Sequence, residues 1–339
     1  MKAASNTVGR RYEEKEDNIA TDPFLNDYIK ITQSGAYRRL AFKTQVLSMP
    51  DNPHVRTRLV HTEEVIGISM IIAEKLNLNM NLCMAIAAGH DIGHTPYGHL
   101  GEKVLTKLSK KKFRHNINSV VISQKIERKG KGLNLTPEVL EGIISHSFKY
   151  KKKNSKKGRL QEYAAVMWAD KIAYTFSDLN DGVRYGYLKK KDIPRCAYKL
   201  GKNQRERTSR VISALVKESK KKGYVSLSEG EIYENFMNLR NYLINNFYKI
   251  VDDSLQKQYL VTIYKFISNS PQFEGVNPVV AVSLLTDKEV TKFANLLAHS
   301  FKPTINDIKH FGIIEILPYL KNREIDYSDP DTGWYRKNA

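Results

Sequence analysis

The chain has 339 residues, 41% of them hydrophobic, and 55 Lys and Arg against 36 Asp and Glu give it a formal charge of +19. The length and apolar share argue for a folded protein, and the positive balance calls for an anionic partner (nucleotide, nucleic acid or anionic lipid) or for many solvated lysines. Two cysteines, Cys83 in an apolar run and Cys196 near a proline, argue against a disulfide framework and for a reducing compartment.

Met1 to Glu14 is polar and lacks an apolar signal core, and no run of about 18 apolar residues follows anywhere. The expectation is a soluble, cytoplasmic protein with no membrane partner. Apolar residues recur at helical spacing, as in Ile232, Phe236, Leu239 and Leu243 or Val290, Phe293, Ala294 and Leu297. No period of about 20 to 50 residues repeats, so an irregular all-α bundle is expected.

In chain order, the first informative element is a helix from about Val55 to Leu76, in which Arg58 lies one turn before His61. A guanidinium and an imidazole on one face can grip a phosphate and a metal together. The next is Ala85 to Glu102, AIAAGHDIGHTPYGHLGE, where an apolar helix runs into His90, Asp91, His94, His99 and Glu102. One such histidine is ordinarily a core residue; three with two carboxylates favour metal or acid–base chemistry. His115 heads a further helix in FRHNINS, Thr136 and Pro137 suit an N-cap and first turn, and His146 ends the helix that follows.

Lysine, glycine and asparagine then cluster from Lys149 to Arg159, read as a mobile exposed loop, as other basic clusters at Lys107 to Lys112, Arg128 to Gly132, Lys189 to Lys191 and Lys217 to Gly223 are read as helix joints. Glu162 to Leu179 sets Asp170, Tyr174 and Asp178 along one stripe, with Lys171 beside them. Arg205, Arg207 and Arg210 read as an exposed basic helix face. Ser228 with Glu231 and Thr286 with Glu289 have capping-box spacing.

Two imidazoles and two carboxylates drawn from His61, His90, Asp91 and Asp170 suit one divalent ion per chain, Mn, Fe, Co, Ni, Zn or Mg, with positions left for water and a phosphate oxygen. The spacing lacks the cysteine pairs of structural zinc sites and the HExxH helix of zinc proteases.

The order His61, His90-Asp91, Asp170 resembles the H, HD, D signature of the HD superfamily. SGAYRRLAFKTQV (34–46), HVRTRLVHTEEV (54–65), HDIGHTPYGHLGE (90–102), LNLTPEVLEGIISH (133–146) and WADKIAYTFSDL (168–179) resemble, more narrowly, deoxyguanosine triphosphate triphosphohydrolase-like proteins. The resemblance covers most of residues 10–185. It implies an HD helical bundle over 1–188, with the motif region at about 54–180, and additional C-terminal helices over 189–339 packed on it in one globular unit.

The implied reaction splits a deoxynucleoside triphosphate, dGTP among them, into deoxynucleoside and inorganic triphosphate. By the same resemblance Arg58, His94 and Lys171 bind phosphates, Gln45, Tyr174 and Asp178 bind the sugar, and His99, Glu102 and His115 sit where the leaving oxygen is protonated, either histidine serving as donor. His146 with His115 could complete the H, HD, H, H, D pattern of two-metal relatives, which leaves a second metal open. A nucleotide effector, single-stranded DNA on the basic surface and a homo-oligomer are further implied partners. The alternatives are another HD nucleotide phosphohydrolase or phosphodiesterase, and a nucleic-acid-binding regulatory protein on the same scaffold.

Overall fold

The computed structural model describes residues 1, 3–14, 20–47, 54–147, 159–250, 253–299 and 303–336. The run from Lys149 to Lys157, the heart of the expected mobile loop, lies outside them. Among the described residues the fold is helical, with an isolated bridge between Thr44 and Thr57.

The helices in chain order are α1 (Pro23–Thr32), α2 (Gly35–Arg39), α3 (Arg58–Leu76), α4 (Met80–Gly89), α5 (His99–Ser109), α6 (His115–Val121), α7 (Pro137–Ser145), α8 (Glu162–Arg184), α9 (Arg195–Leu200), α10 (Gln204–Lys222), α11 (Glu231–Asn246), α12 (Ser254–Asn269), α13 (Pro278–Ser283), α14 (Asp287–His299), α15 (Gly312–Ile316) and α16 (Gly333–Arg336). None of the described helices is long and apolar enough to cross a membrane.

Helix α4 is apolar on nearly every face, with Leu82, Cys83, Ala85, Ile86, Ala87, Ala88 and Gly89 all buried, so it must be covered all round. It packs against α1, α3, α7 and α8. The approach to α7 is close because glycines face branched side chains: a Cβ on Gly142 would come within 2.3 Å of Ile86, and one on Gly89 within 2.5 Å of Ile143. His90 and Asp91 follow directly from the buried end of this central helix. Helices α10 and α11 pack on α8, α10 also on α3, while α12 and α13 lie against α5 and α14 against α12.

Local chemistry sets the ends, and it departs from the sequence expectation in several places. The helix expected from Val55 begins at Arg58, because the Thr57 side chain accepts the Val60 amide and caps it. Thr136 is the N-cap of α7 and Pro137 opens it, as expected, although the Thr136 hydroxyl donates to Asp27 at 2.7 Å and makes no capping bond. Thr286 and Glu289 form the expected reciprocal box. Ser228 and Glu231 do not: Ser228 donates to Glu218, and α11 starts after Gly230 at φ +89°. The basic cluster at Lys217 to Gly223 lies inside α10 up to Lys222, with Gly223 ending the helix at φ +75°. Arg207 is not on an exposed face either; it is buried and bonds the carbonyls of Ala197 and Gly201.

Candidate active site

Three helices converge at the end of α4. The first turns of α3 supply Arg58 and His61, the chain after α4 supplies His90 and Asp91, and the middle of α8 supplies Asp170. One nitrogen each of His61 and His90 and one oxygen of Asp170 lie within 4.8 Å of one another. His61 Nε2 is 3.1 Å from Asp170 Oδ1. Burial works against charge on the Asp170 carboxyl, and the His61 contact together with the imidazoles around it holds its pKa at about 2.

The His90 ring is fixed by its other nitrogen. Nδ1 lies 2.6 Å from the Ala87 carbonyl and must carry a proton to bond there, so that in the neutral ring Nε2 turns its lone pair inward. That Nε2 is buried without a hydrogen-bond partner, 3.4 Å from Asp91 Oδ1. A bare imidazole nitrogen beside a carboxylate oxygen is two acceptors facing each other, an arrangement that a cation between them would relieve. The residues present therefore fit a divalent ion.

Asp91 stands between this group and a second one. Its Oδ2 accepts from Arg58 Nη1 at 2.7 Å and its Oδ1 is 3.3 Å from His94 Nε2; Asp91, His94 and His115 form another set within 4.8 Å. Burial would raise the Asp91 carboxyl, and the histidines and Arg58 hold it well below the usual carboxylate range. The structure thus draws His61, His90 and Asp170 together and sets Asp91 at the boundary of the two sets. Arg58 also donates from Nη2 to the Gln45 carbonyl at 3.2 Å, while Gln45 Oε1 is buried without a partner.

Glu102 organises the next cluster. Its Oε1 accepts the His115 amide at 2.8 Å and lies 2.5 Å from His115 Nδ1, and its Oε2 lies 3.1 Å from His99 Nδ1. His115 Nε2 in turn is 3.2 Å from His146 Nε2, and His146 Nδ1 must donate to the Ile143 carbonyl at 2.7 Å. His146 Nε2 is then an acceptor, so His115 must donate from both nitrogens and is an imidazolium. The charge preferences agree: burial opposes the His115 cation but Glu102 outweighs it and raises the pKa, whereas burial and the neighbouring imidazoles push His146 down to about 3. His94 stacks on His115 with ring centroids 3.9 Å apart. His99 alone of the group is open, its side chain 69% exposed.

On α8, Lys171 lies over the Trp168 ring at 5.0 Å, and burial with the nearby Arg240 charge lowers its pKa to about 8. Arg240, on α11, donates to the Tyr174 hydroxyl and lies over that ring at 5.4 Å, its Nε buried and unpartnered. Tyr248 donates to Asp178 Oδ2 at 2.6 Å; burial raises that carboxyl to about 7. Arg240 and Tyr248 escaped the sequence reading, although one signal was present: Arg240 is one turn after Phe236, a cation on the apolar stripe of α11. A cavity of about 620 Å³ beside Arg38, Arg39, Lys129 and Lys292 shares none of the histidines.

The HD domain family model matches residues 58–175. Three relatives, each called deoxyguanosinetriphosphate triphosphohydrolase-like protein, are similar over most of their length. That of Caldanaerobacter subterraneus subsp. tengcongensis is 43% identical over 71% of this chain and 69% of its own. The Clostridium tetani protein is 40% identical over 73% and 72%. That of Clostridium perfringens strain SM101 is 41% identical over 76% of each.

Proposed function

The chain belongs to the deoxyguanosinetriphosphate triphosphohydrolase-like family of HD-domain proteins and is a phosphoric ester hydrolase; on that premise we propose that it cleaves deoxynucleoside triphosphates to deoxynucleoside and inorganic triphosphate in a metal-dependent reaction. The observation that carries the reading is the unpartnered His90 Nε2, aimed into the same small space as His61 and Asp170.

His61, His90 and Asp170 would hold one divalent ion, with Asp91 completing the set. When bound, the ion would polarise a phosphate oxygen and lower the pKa of water. Arg58, bonded to Asp91, Lys171, next to Asp170 in the chain, and Arg240, whose charge acts on Lys171, would together supply three cations to hold a triphosphate and favour the charge that develops on it. His94, neutral because burial and the Arg58 charge depress its pKa, sets its Nε2 3.3 Å from Asp91 and would line the same phosphate pocket.

The departing 5′ oxygen needs a proton, and His99 stands on the open side with Glu102 behind it and the His115 imidazolium behind that. We assign the donation to His99, with Glu102, itself held by His115, orienting its ring. Both N–H groups of His115 are already engaged, which makes it the poorer direct donor. Gln45 Oε1 and the Asp178–Tyr248 pair are suited to a 3′ hydroxyl, and the Tyr174 ring can crowd a 2′ hydroxyl. A nucleotide effector, single-stranded DNA and self-association belong to the same proposal, and the separate basic cavity offers an effector room.

The test offers the metal-loaded protein each deoxynucleoside triphosphate singly and in mixtures, beside the ribonucleotides, with products resolved by anion exchange. Deoxynucleoside and intact triphosphate are expected, at higher kcat/KM for the deoxy sugars. Orthophosphate or pyrophosphate as the product would refute the reading.

A further inference from the structure

Asp287, the first residue of α14, lies far along the chain from every motif of the site and is fully buried. Its Oδ2 accepts the Thr44 amide at 2.9 Å and the Thr44 hydroxyl at 2.6 Å, and its Oδ1 accepts the Tyr97 amide at 2.9 Å. Three donors and no acceptor on two oxygens is the bonding of a carboxylate that ties two separate segments together.

Both segments end on Arg58. Thr44 is followed by Gln45, whose carbonyl accepts from Arg58 Nη2. Tyr97 is followed by Gly98, where an added Cβ would fall 2.3 Å from that same Nη2. Tyr97 is moreover a bulky residue at φ +56°, a left-handed conformation that persists only where its surroundings enforce it. Here the enforcement comes from α14, because the Tyr97 hydroxyl also donates to the Asp287 carbonyl at 3.2 Å. Lys43 reinforces the same junction, its buried ammonium donating to the carbonyls of His94 and Ser283.

We propose that Asp287 is a positioning residue: through Thr44 on one side and Tyr97 on the other it sets the Arg58 guanidinium and the start of α5, on which His99 and Glu102 depend. The consequence for turnover rests on the reading of Arg58 as a phosphate-binding residue. The C-terminal helices thereby complete a site whose recognisable residues all precede them.

The experiment compares Asp287→Asn, Thr44→Val and Thr291→Val. An amide cannot accept on both sides, so Asp287→Asn must lose one segment; Thr44→Val cuts a single bond to the carboxylate; Thr291→Val removes a hydroxyl that bonds the Asp287 carbonyl and the Tyr97 hydroxyl but leaves all three donors to the Asp287 carboxylate in place. Expected per folded molecule are a fall in kcat/KM of about 100-fold for Asp287→Asn and about tenfold for Thr44→Val, with Thr291→Val near wild type. Faster amide hydrogen exchange at Thr44 and Tyr97 is expected in Asp287→Asn. Should that variant not fold, the ratio of Thr44→Val to Thr291→Val decides alone. Equal kcat/KM in those two, or unchanged exchange and turnover in Asp287→Asn, would overturn the proposal. A wild-type chain that releases no triphosphate would sink the proposed reaction instead, and the exchange measurement would still decide the clamp.

Discussion

Gly98→Ala should disable the protein through Arg58. Gly98 sits at φ +53° and ψ −125°, a region that residues with a Cβ rarely enter, so the backbone alone costs about 1–3 kcal/mol. The new methyl would also stand 2.3 Å from Arg58 Nη2, and real Cβ contacts do not fall below 3.0 Å, so the guanidinium must retreat by roughly 0.7 Å, the difference of the two. It has no slack for this, being buried and bonded to Asp91 at 2.7 Å and to the Gln45 carbonyl at 3.2 Å. Breaking the charged bond to Asp91 would cost about 1.5–3 kcal/mol more. A displacement approaching 1 Å at a positioning group lowers turnover by about 100-fold. The control is Gly186→Ala, which also sits at positive φ, +78°, but meets nothing within 4 Å. Thermal unfolding and steady-state kcat/KM on the metal-loaded proteins make the comparison. Gly98→Ala within threefold of Gly186→Ala in kcat/KM would refute the reasoning.

Asp170→Asn should lower bound divalent metal, measured by elemental analysis after gel filtration, and cut kcat by about 1,000-fold while the helical circular dichroism persists; unchanged metal content would argue against the site. Glu102→Gln should retain metal and lose about 100- to 10,000-fold in kcat. Because Glu102 holds the His115 pKa up, the His115 ring should also lose its proton at lower pH in that variant, as followed by NMR titration. Glu218, whose pKa burial would raise and whose bonds to Lys222, Ser226 and Ser228 lower to about 2, contributes stability that is present above its unfolded value near 4.5 and lost as pH falls through about 2. Glu218→Gln should accordingly be less stable than wild type by about 1 kcal/mol at pH 7 in urea unfolding, and the gap should close toward pH 2.

The all-helical fold was legible because apolar spacing repeats it in nearly every segment, and Asp91 and His90 were legible because an apolar helix rarely ends in such a pair. Failures occurred where a polar side chain had competing partners. Ser228 had the spacing of a cap but found Glu218, and Thr136, although the N-cap of α7 as expected, turned its hydroxyl to Asp27. Such choices depend on residues 10 and 109 positions away, so local spacing cannot decide them. Arg207 read as surface because a charge run usually is, whereas the end of α9 gave it two carbonyls. The site divides in the same way. Motif residues were visible as clusters in sequence, but Arg240 and Asp287 reach it from α11 and α14 and Tyr248 from the turn after α11, segments that carry no motif of the site, and only the packing of the C-terminal helices brings them in.

The central claim is hydrolysis at the α-phosphorus by a protein that needs its metal. The most direct measurement runs the reaction in ¹⁸O-labelled water with a single deoxynucleoside triphosphate, with and without prior metal removal, and follows the products by mass spectrometry. The account predicts one ¹⁸O atom in intact inorganic triphosphate, an unlabelled deoxynucleoside, and no turnover until metal is restored. Label in orthophosphate or pyrophosphate, or full activity in the metal-free protein, would contradict it.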